Sequence, residues 1–388
     1  MIFRRKTDSM HKKIVIYSEA FLPNIGGGEN YCVDLARTLA ELGEDVTVVT
    51  PIQSSTVDVF NFNLIRLRNP IFFGFNVNFV EPLLRIIKEK PKVVILSGPA
   101  ISDLAMIPFL KSFKFPMIVV FHGQFNRKWA RVLMKIVAPI MYRLSDRIIV
   151  QTTRDLKYLK DMKVPTNKID YFVFNGVDRK KFRCPDISEG YDKRNRGAPL
   201  KFIFIGGLTS SRPYKGIDLL LEIFKRIENN NILPLPDLIV VGGGDLLESL
   251  SKGTKNFKNI HFLGRLNDNQ LIHELCQSDV FILPSKSDGE GLGRVVFEAV
   301  SCGKPVMVSK FAGASEMVRK YEAGVIFDPF DIDSAIDIIQ LLNSHRELLK
   351  KFALNGQRML SEEGLDLLST TKKHIKVYKE IETSDREY

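Results

Sequence analysis

Short apolar runs rich in β-branched residues recur along this chain, and the stretches between them carry helical patterns. The first half holds Lys13-Ile-Val-Ile-Tyr17, Asp45-Val-Thr-Val-Val49, Lys92-Val-Val-Ile-Leu96, Met117-Ile-Val-Val-Phe121 and Arg147-Ile-Ile-Val150. The second half holds Lys201-Phe-Ile-Phe-Ile205, Asp237-Leu-Ile-Val-Val241, Ile260-His-Phe-Leu263, Val280-Phe-Ile-Leu283 and Val306-Met-Val308. Strands with one wet face alternate polar and apolar residues. Continuous apolar runs fit strands covered on both faces, and their alternation with helices fits parallel sheets between helical layers. A chain of 388 residues is long for one core, so two domains are expected. The polar, proline-bounded stretch from Pro185 to Pro199 reads as the linker. The predicted division is 1–185, a linker at 186–199, 200–364, and a tail at 365–388 carrying one basic amphipathic helix. Each large domain is doubly wound, the two are expected to face across a cleft, and ligands in such sheets sit outside the carboxyl ends of the strands.

The densest chemistry lies in Gly289-Glu290-Gly291-Leu292-Gly293-Arg294-Val295-Val296-Phe297-Glu298. It reads as a glycine-rich loop entering a helix, between two strands. Amides around Gly291 to Arg294 lack helical acceptors, and with the helix dipole they favour an anion. Glu290 in the loop and Glu298 one turn into the helix flank the same opening. Carboxylates accept hydrogen bonds from hydroxyls in pairs. An anion cradle between two carboxylates suits a ligand with phosphates and hydroxyls, such as a nucleotide sugar. The plainer alternative is a pair of solvated helix-end charges.

The remaining features narrow the class. Cys32, Cys184, Cys276 and Cys302 show no CxxC and no paired spacing, which predicts reduced thiols, a cytoplasmic setting and no zinc cluster. No secretory leader and no run of about 18 uninterrupted apolar residues is visible. A net charge of +11 fits phosphorylated substrates or an anionic membrane surface; without a recognisable nucleic-acid motif, nucleic acid is not expected as a partner. A membrane surface is favoured by 127–147, a basic segment with apolar residues at helical spacing and the one tryptophan, Trp129. A core-packed helix with a solvated basic face is the alternative.

An ordered set of motifs resembles the retaining GT-B glycosyltransferases of the family 4 type over nearly the whole chain. It comprises Pro23-Asn-Ile-Gly-Gly-Gly-Glu29, Phe121-His122-Gly123, Asn175-Gly176-Val177-Asp178 with Phe182, and Ile205-Gly-Gly-Leu208 running to Lys215-Gly216. Val241-Gly-Gly-Gly-Asp245, Phe262-Leu-Gly-Arg265, Glu290 to Glu298, and Gly313-Ala-Ser-Glu316 complete it.

The resemblance implies a GT-B fold of two Rossmann-like domains, with the C-terminal helix crossing back to the N-terminal domain. It implies a nucleotide-sugar donor held by the C-terminal domain and a saccharide or lipid-linked acceptor held by the N-terminal one. Glu298 would bind the ribose hydroxyls. Glu290 would contact the transferred sugar, helped by amides near Gly291, Leu292 and Gly293. The base would lie against Arg265 and Leu266. His122 would touch a sugar hydroxyl, and Gly27 and Gly28 would let backbone approach the donor phosphates. Many members carry Arg where this chain has Gly207; here Arg212 would replace it and act with Lys215 on the departing diphosphate. Glu29 reads more simply as a helix-start charge. These cations would make a metal unnecessary. Asp331-Ile-Asp333 opens an amphipathic helix, and capping explains it. UDP is the first expectation for the nucleotide and GDP the second, on family frequency alone. Cysteine usage and the basic segment together place the expected location in the cytoplasm, peripheral on the inner face of the cell membrane. Three rivals remain: a dehydrogenase, disfavoured because no Gly-x-Gly-x-x-Gly follows the first strand; a nucleotide-sugar epimerase; and a non-catalytic sugar- or lipid-binding module.

Overall fold

The computed structural model describes residues 13–24, 26–54, 59–67, 79–98, 101–122, 137–171, 176–185 and 198–384. The structure has two units. One reaches residue 175 and takes back Leu367–Tyr388; the other is Gly176–Asp366.

In the first unit β1 (Lys13–Tyr17), β2 (Asp45–Thr50), β3 (Asn63–Arg66), β4 (Val93–Ser97), β5 (Met117–Phe121), β6 (Arg147–Val150) and β7 (Ile169–Tyr171) form one sheet. Its order is β3-β2-β1-β4-β5-β6-β7. Every neighbouring pair is parallel, with Ile14 beside both Val46 and Val93. Ile14, Val15, Ile16, Val94 and Ile95 are fully buried. Side chains of this size each contribute about 1.5–3 kcal/mol when removed from water, so the central strands cannot slip register without losing their cover.

In the second unit β8 (Lys201–Ile205), β9 (Asp237–Val241), β10 (Ile260–Gly264), β11 (Val280–Leu283), β12 (Val306–Ser309) and β13 (Gly324–Phe327) follow the order β10-β9-β8-β11-β12-β13. All these pairs are parallel as well. Both sheets match the expected α/β architecture. Winding reverses between β1 and β4 in the first sheet and between β8 and β11 in the second. At such a point consecutive connections leave in opposite directions and open a crevice at the strands' carboxyl ends.

Three features differ from the sequence reading. The strands β3, β7 and β13 were not expected; all three are short edge strands with few buried residues. The boundary expected at 185 lies at 175, because residues 176–184 pack on the second unit. Val177 N–H donates to the Leu365 carbonyl at 2.7 Å, and Ser301 Oγ donates to the Phe182 carbonyl at 2.7 Å. The expected linker falls mostly on 186–197, outside the described residues, as do Gly123, Asn175 and 127–136 of the basic segment. The third difference is a correction: Cys184 and Cys276 form a disulfide, Cα–Cα 5.5 Å, across 92 positions of sequence. The two cysteines meet only through the fold, so spacing could not reveal them, and the cytoplasmic setting loses that support. Cys32 and Cys302 are buried free thiols.

The C-terminal helix, Leu367–Ser384, packs in the first unit. Arg147 Nη1 donates to Glu380 at 2.9 Å, and Tyr31 reaches His374.

Candidate functional site

In the second unit the loops after β8 and β11 meet at the switch point. The first runs through Gly207 and Arg212 into a 3-10 turn, Pro213–Lys215, and then into the helix Ile217–Asn229. Two junctions lock it to the second loop. Lys286 N–H donates to the Tyr214 carbonyl at 2.7 Å. Gly216 has φ +71, and a Cβ there would lie 1.9 Å from the Pro284 carbonyl oxygen. Only glycine combines this backbone with so close an approach. At Gly289 a Cβ would meet the Tyr214 ring at 3.0 Å. A side chain before Glu290 would press on that ring.

These locks bring Lys215 onto Glu290. The ammonium lies 2.8 Å from Oε1 and 2.7 Å from Oε2. Ser285 Oγ donates to Oε2 at 3.4 Å, and the Ser285 carbonyl accepts from Ser309 Oγ at 2.6 Å. The two side chains are 14% and 7% exposed. An ion pair so far from water is held rigidly and is costly to break. The sequence reading places both residues in the site with separate tasks; their pairing is a finding of the structure.

Glu298 sits one turn into the helix Arg294–Ser301, which Gly293 caps. It accepts from Arg294 Nε at 2.9 Å, with both side chains 10% exposed. Arg294 was not assigned a role by the sequence reading. Its signal was there: an arginine at the first helical position faces the positive end of the dipole, the unfavourable placement. The carbonyls of Gly291 and Leu292 accept from the amides of Gly313 and Ala314 at 3.0 and 2.8 Å. That ties the Gly313-Ala-Ser-Glu316 turn to the helix start. Among the described residues the amides of Gly291, Leu292 and Gly293 donate to no group of the chain. They are therefore available to an anion.

Arg212 is half-buried and folds back on Gly207, where a Cβ would lie 3.6 Å from its Nη1. Its guanidinium thus lies beside the backbone of Gly207. Arg265 and Leu266 follow β10, on the same carboxyl-end rim but separated from β8 by β9. Leu266 lines an open groove with Leu263, Gln270 and His273. Asp331 caps the helix Ile332–Ser344, accepting from Ser334 N–H at 3.1 Å.

In the first unit Gly27 and Gly28 start the helix Gly27–Glu41. A Cβ at Gly27 would touch nothing within 4 Å, and one at Gly28 would make an ordinary contact with Ala20. Neither glycine is required by the packing around it. The Glu29 carboxylate folds back over Gly26. His122 directly follows β5 and is half-buried. Its Nδ1 lies 3.2 Å from Gln151 Nε2 and its Nε2 lies 3.1 Å from Ser97 Oγ. The amide donates to Nδ1, so Nε2 carries the hydrogen and donates to the hydroxyl. Burial lowers its pKa to about 4, with Gln151 opposing; the ring is neutral near pH 7.

Two family models match the chain. "Glycosyltransferase Family 4" covers residues 25–181 and "Glycosyl transferases group 1" covers 191–359. Among curated relatives, a UDP-Gal:alpha-D-GlcNAc-diphosphoundecaprenol alpha-1,3-galactosyltransferase of Escherichia coli is 26% identical over 85% of this chain and 88% of its own. The sulfoquinovosyl transferase of Arabidopsis thaliana is 23% identical over 83% of this chain, which spans 65% of that relative's length. Among solved structures, a sucrose-phosphate synthase from Thermosynechococcus elongatus superposes with TM-score 0.78 at 18% identity, covering 96% of this chain and 100% of that one. HepE of Anabaena, solved with UDP, superposes with TM-score 0.76 at 16% identity, covering 95% and 100%.

Proposed function

This chain belongs to the GT-B glycosyltransferases of the family 4 type, and from that premise we propose that it moves a hexose-type sugar from a nucleoside diphosphate to a saccharide or lipid-linked acceptor, with retention of configuration. The observation that carries this is the buried Lys215–Glu290 pair at the second switch point. The open amides of Gly291 to Gly293 and the cation of Arg212 lie in the same two loops and helix start.

The tasks divide by chemistry. The bond between the sugar's anomeric carbon and the β-phosphate oxygen breaks, and the diphosphate takes the electron pair. Lys215, Arg212 and the amides stabilise that charge, which grows in the transition state. Glu290, held by Lys215 and Ser285, accepts hydrogen bonds from hydroxyls of the transferred sugar. Glu298, held by Arg294, accepts from the ribose hydroxyls. The acceptor oxygen attacks from the face the diphosphate leaves and passes its proton to the departing phosphate. Fixed cations supply the charge a divalent ion would otherwise bring, so no metal is required. Within the first unit Gly27 and Gly28 are offered to phosphate and His122 to a sugar hydroxyl; within the second, Arg265 and Leu266 border the base.

UDP is the preferred nucleotide, with GDP second. Support comes from neighbours solved with UDP and from relatives described as GDP-mannose-dependent. A role in glycolipid or cell-surface polysaccharide synthesis is supported by the lipid-linked acceptor named for the E. coli relative. Among the described residues no helix is long and apolar enough to cross a membrane. Peripheral attachment to an anionic inner membrane face is supported by exposed Val80, Leu84, Phe109 and Phe113, with exposed Lys88, Lys111 and Lys114, all on or just after the helices Val80–Glu89 and Ile101–Ser112. Phe79 stacks on Phe109 with centroids 5.5 Å apart, which brings those helices together.

The test is a transfer assay with UDP- and GDP-hexoses, free and lipid-linked saccharide acceptors, and EDTA throughout. Nucleoside diphosphate release that depends on acceptor supports the reading. Turnover that appears only when a divalent ion is restored overturns the metal-free mechanism.

A further inference from the structure

A buried polar contact joins the ends of the first unit. The Tyr31 hydroxyl lies 2.8 Å from His374 Nε2, with the two residues 1% and 0% exposed. His374 Nδ1 lies 2.9 Å from the Thr370 carbonyl. A carbonyl only accepts, so Nδ1 carries the hydrogen and Nε2 accepts from Tyr31. One residue of the C-terminal helix thus orients a tyrosine 343 positions away.

Packing alone does not call for this bond. Two apolar groups of the same shape would fill the space at little difference in stability. A hydrogen bond adds direction, and here the direction has a target. The Tyr31 ring meets His122 edge-to-face, centroids 4.6 Å apart at 78°. The two ring nitrogens of His122 are held in the plane of the imidazole by Ser97 and Gln151. Tyr31 supplies the aromatic contact to the same ring. Tyr31 also stands one turn into the helix Gly27–Glu41, whose first residues are Gly27 and Gly28.

We propose that His374 is a positioning residue for catalysis: it latches Tyr31, and Tyr31 sets the orientation of His122 and the start of the glycine-led helix. The catalytic part rests on the reading above that His122 touches substrate. The C-terminal helix then has a task beyond covering apolar surface, and losing it frees the His122 ring from its aromatic contact.

The experiment compares His374→Leu, which keeps bulk and removes the acceptor, with His374→Gln, which keeps an oxygen within reach of the hydroxyl. Thermal melting selects folded samples. The readouts are the imidazole nitrogen and proton resonances of His122, and steady-state nucleoside diphosphate release with the UDP- or GDP-hexose and saccharide acceptor that the wild-type protein turns over in the transfer assay. The latch requires that His374→Leu shift the His122 resonances and lower kcat about tenfold, with KM for the donor changed less than twofold. His374→Gln restores both, and Tyr31→Phe added to His374→Leu brings no further loss. Unmoved His122 resonances in folded His374→Leu protein overturn the latch, as does His374→Gln that is no better than His374→Leu. Shifted resonances with full kcat overturn its use in catalysis. His122→Ala separates the two claims: full turnover there overturns the role of His122 itself, whatever the resonances show.

Discussion

Lys215 and Glu290 stand 75 positions apart in sequence, yet the ammonium touches both oxygens of the carboxylate, at 2.8 and 2.7 Å. Each residue reaches the contact from its own loop, after β8 and after β11, so the pair records the switch point of the second sheet. Two charges this poorly hydrated hold one another in place, and each becomes a liability without the other.

Glu290→Gln should therefore destabilise the second unit by about 3–5 kcal/mol, the range for a buried pair that loses one member. Lys215→Met combined with Glu290→Gln should recover much of that loss, because no unpaired charge remains. Thermal melting of the singles and the double checks this. A double variant less stable than both singles would contradict the coupling.

Glu298→Ala should weaken UDP binding about ten- to a hundredfold, corresponding to roughly 1.5–3 kcal/mol for a charge-assisted hydrogen bond. Arg294→Met should cost less, because it removes the clamp on Glu298 and leaves the carboxylate in place. Titration calorimetry of the folded variants measures both. Equal loss in the two would assign Arg294 a direct contact with the nucleotide.

Much of this site was legible as a set of positions, and little of it as a set of contacts. Glu290, Lys215 and Arg212 announce themselves by lying in glycine-bearing loops at strand ends, and Glu298 by lying one turn into the helix that such a loop opens. That Lys215 binds Glu290, that Arg294 clamps Glu298, and that Arg212 folds over Gly207 depend on how loops close in space. The same divide runs through the fold. Central strands such as Ile14 to Ile16 are apolar at every position because helices cover both faces. The edge strands Asn63–Arg66 and Ile169–Tyr171 are half-covered and carry mixed residues, so they resemble loops; Gly324–Phe327 is apolar but only four residues long and opens on a glycine. Cys184 and Cys276, like Tyr31 and His374, are brought together by topology alone.

Burial lowers the pKa of both His122 and His374 to about 4, from 6.5. Between those values the unfolded chain binds protons that the folded chain does not. Stability is therefore complete above about pH 6.5 and falls as pH drops toward 4, by about 1.36 kcal/mol per pH unit for each histidine. His374→Gln should remove one of the two contributions. Melting temperatures of the two proteins from pH 8 to 4.5 should diverge in slope below 6.5, with the wild type falling more steeply. Parallel curves would show that His374 titrates normally.

Anionic liposomes should carry the protein in flotation at low salt, and neutral ones should not. Each basic residue close to an anionic surface contributes about 1 kcal/mol. Phe109→Ser with Phe113→Ser should release it, as should Glu in place of Arg127, Lys128, Arg131 and Lys135 in the basic segment. Protein that stays at the bottom with anionic liposomes at low salt would point to a soluble acceptor.

The central claim is that the second unit holds a nucleoside diphosphate through Lys215, Glu298 and the open amides before Arg294. It is tested most directly by the thermal stability of the wild-type protein with and without UDP or GDP, in EDTA. A nucleotide at 100 times its dissociation constant should add roughly 2.7 kcal/mol, and the gain should shrink in Glu298→Ala and Lys215→Ala. Failure of both nucleotides to stabilise the folded wild-type protein, or equal stabilisation of all three proteins, would contradict the account.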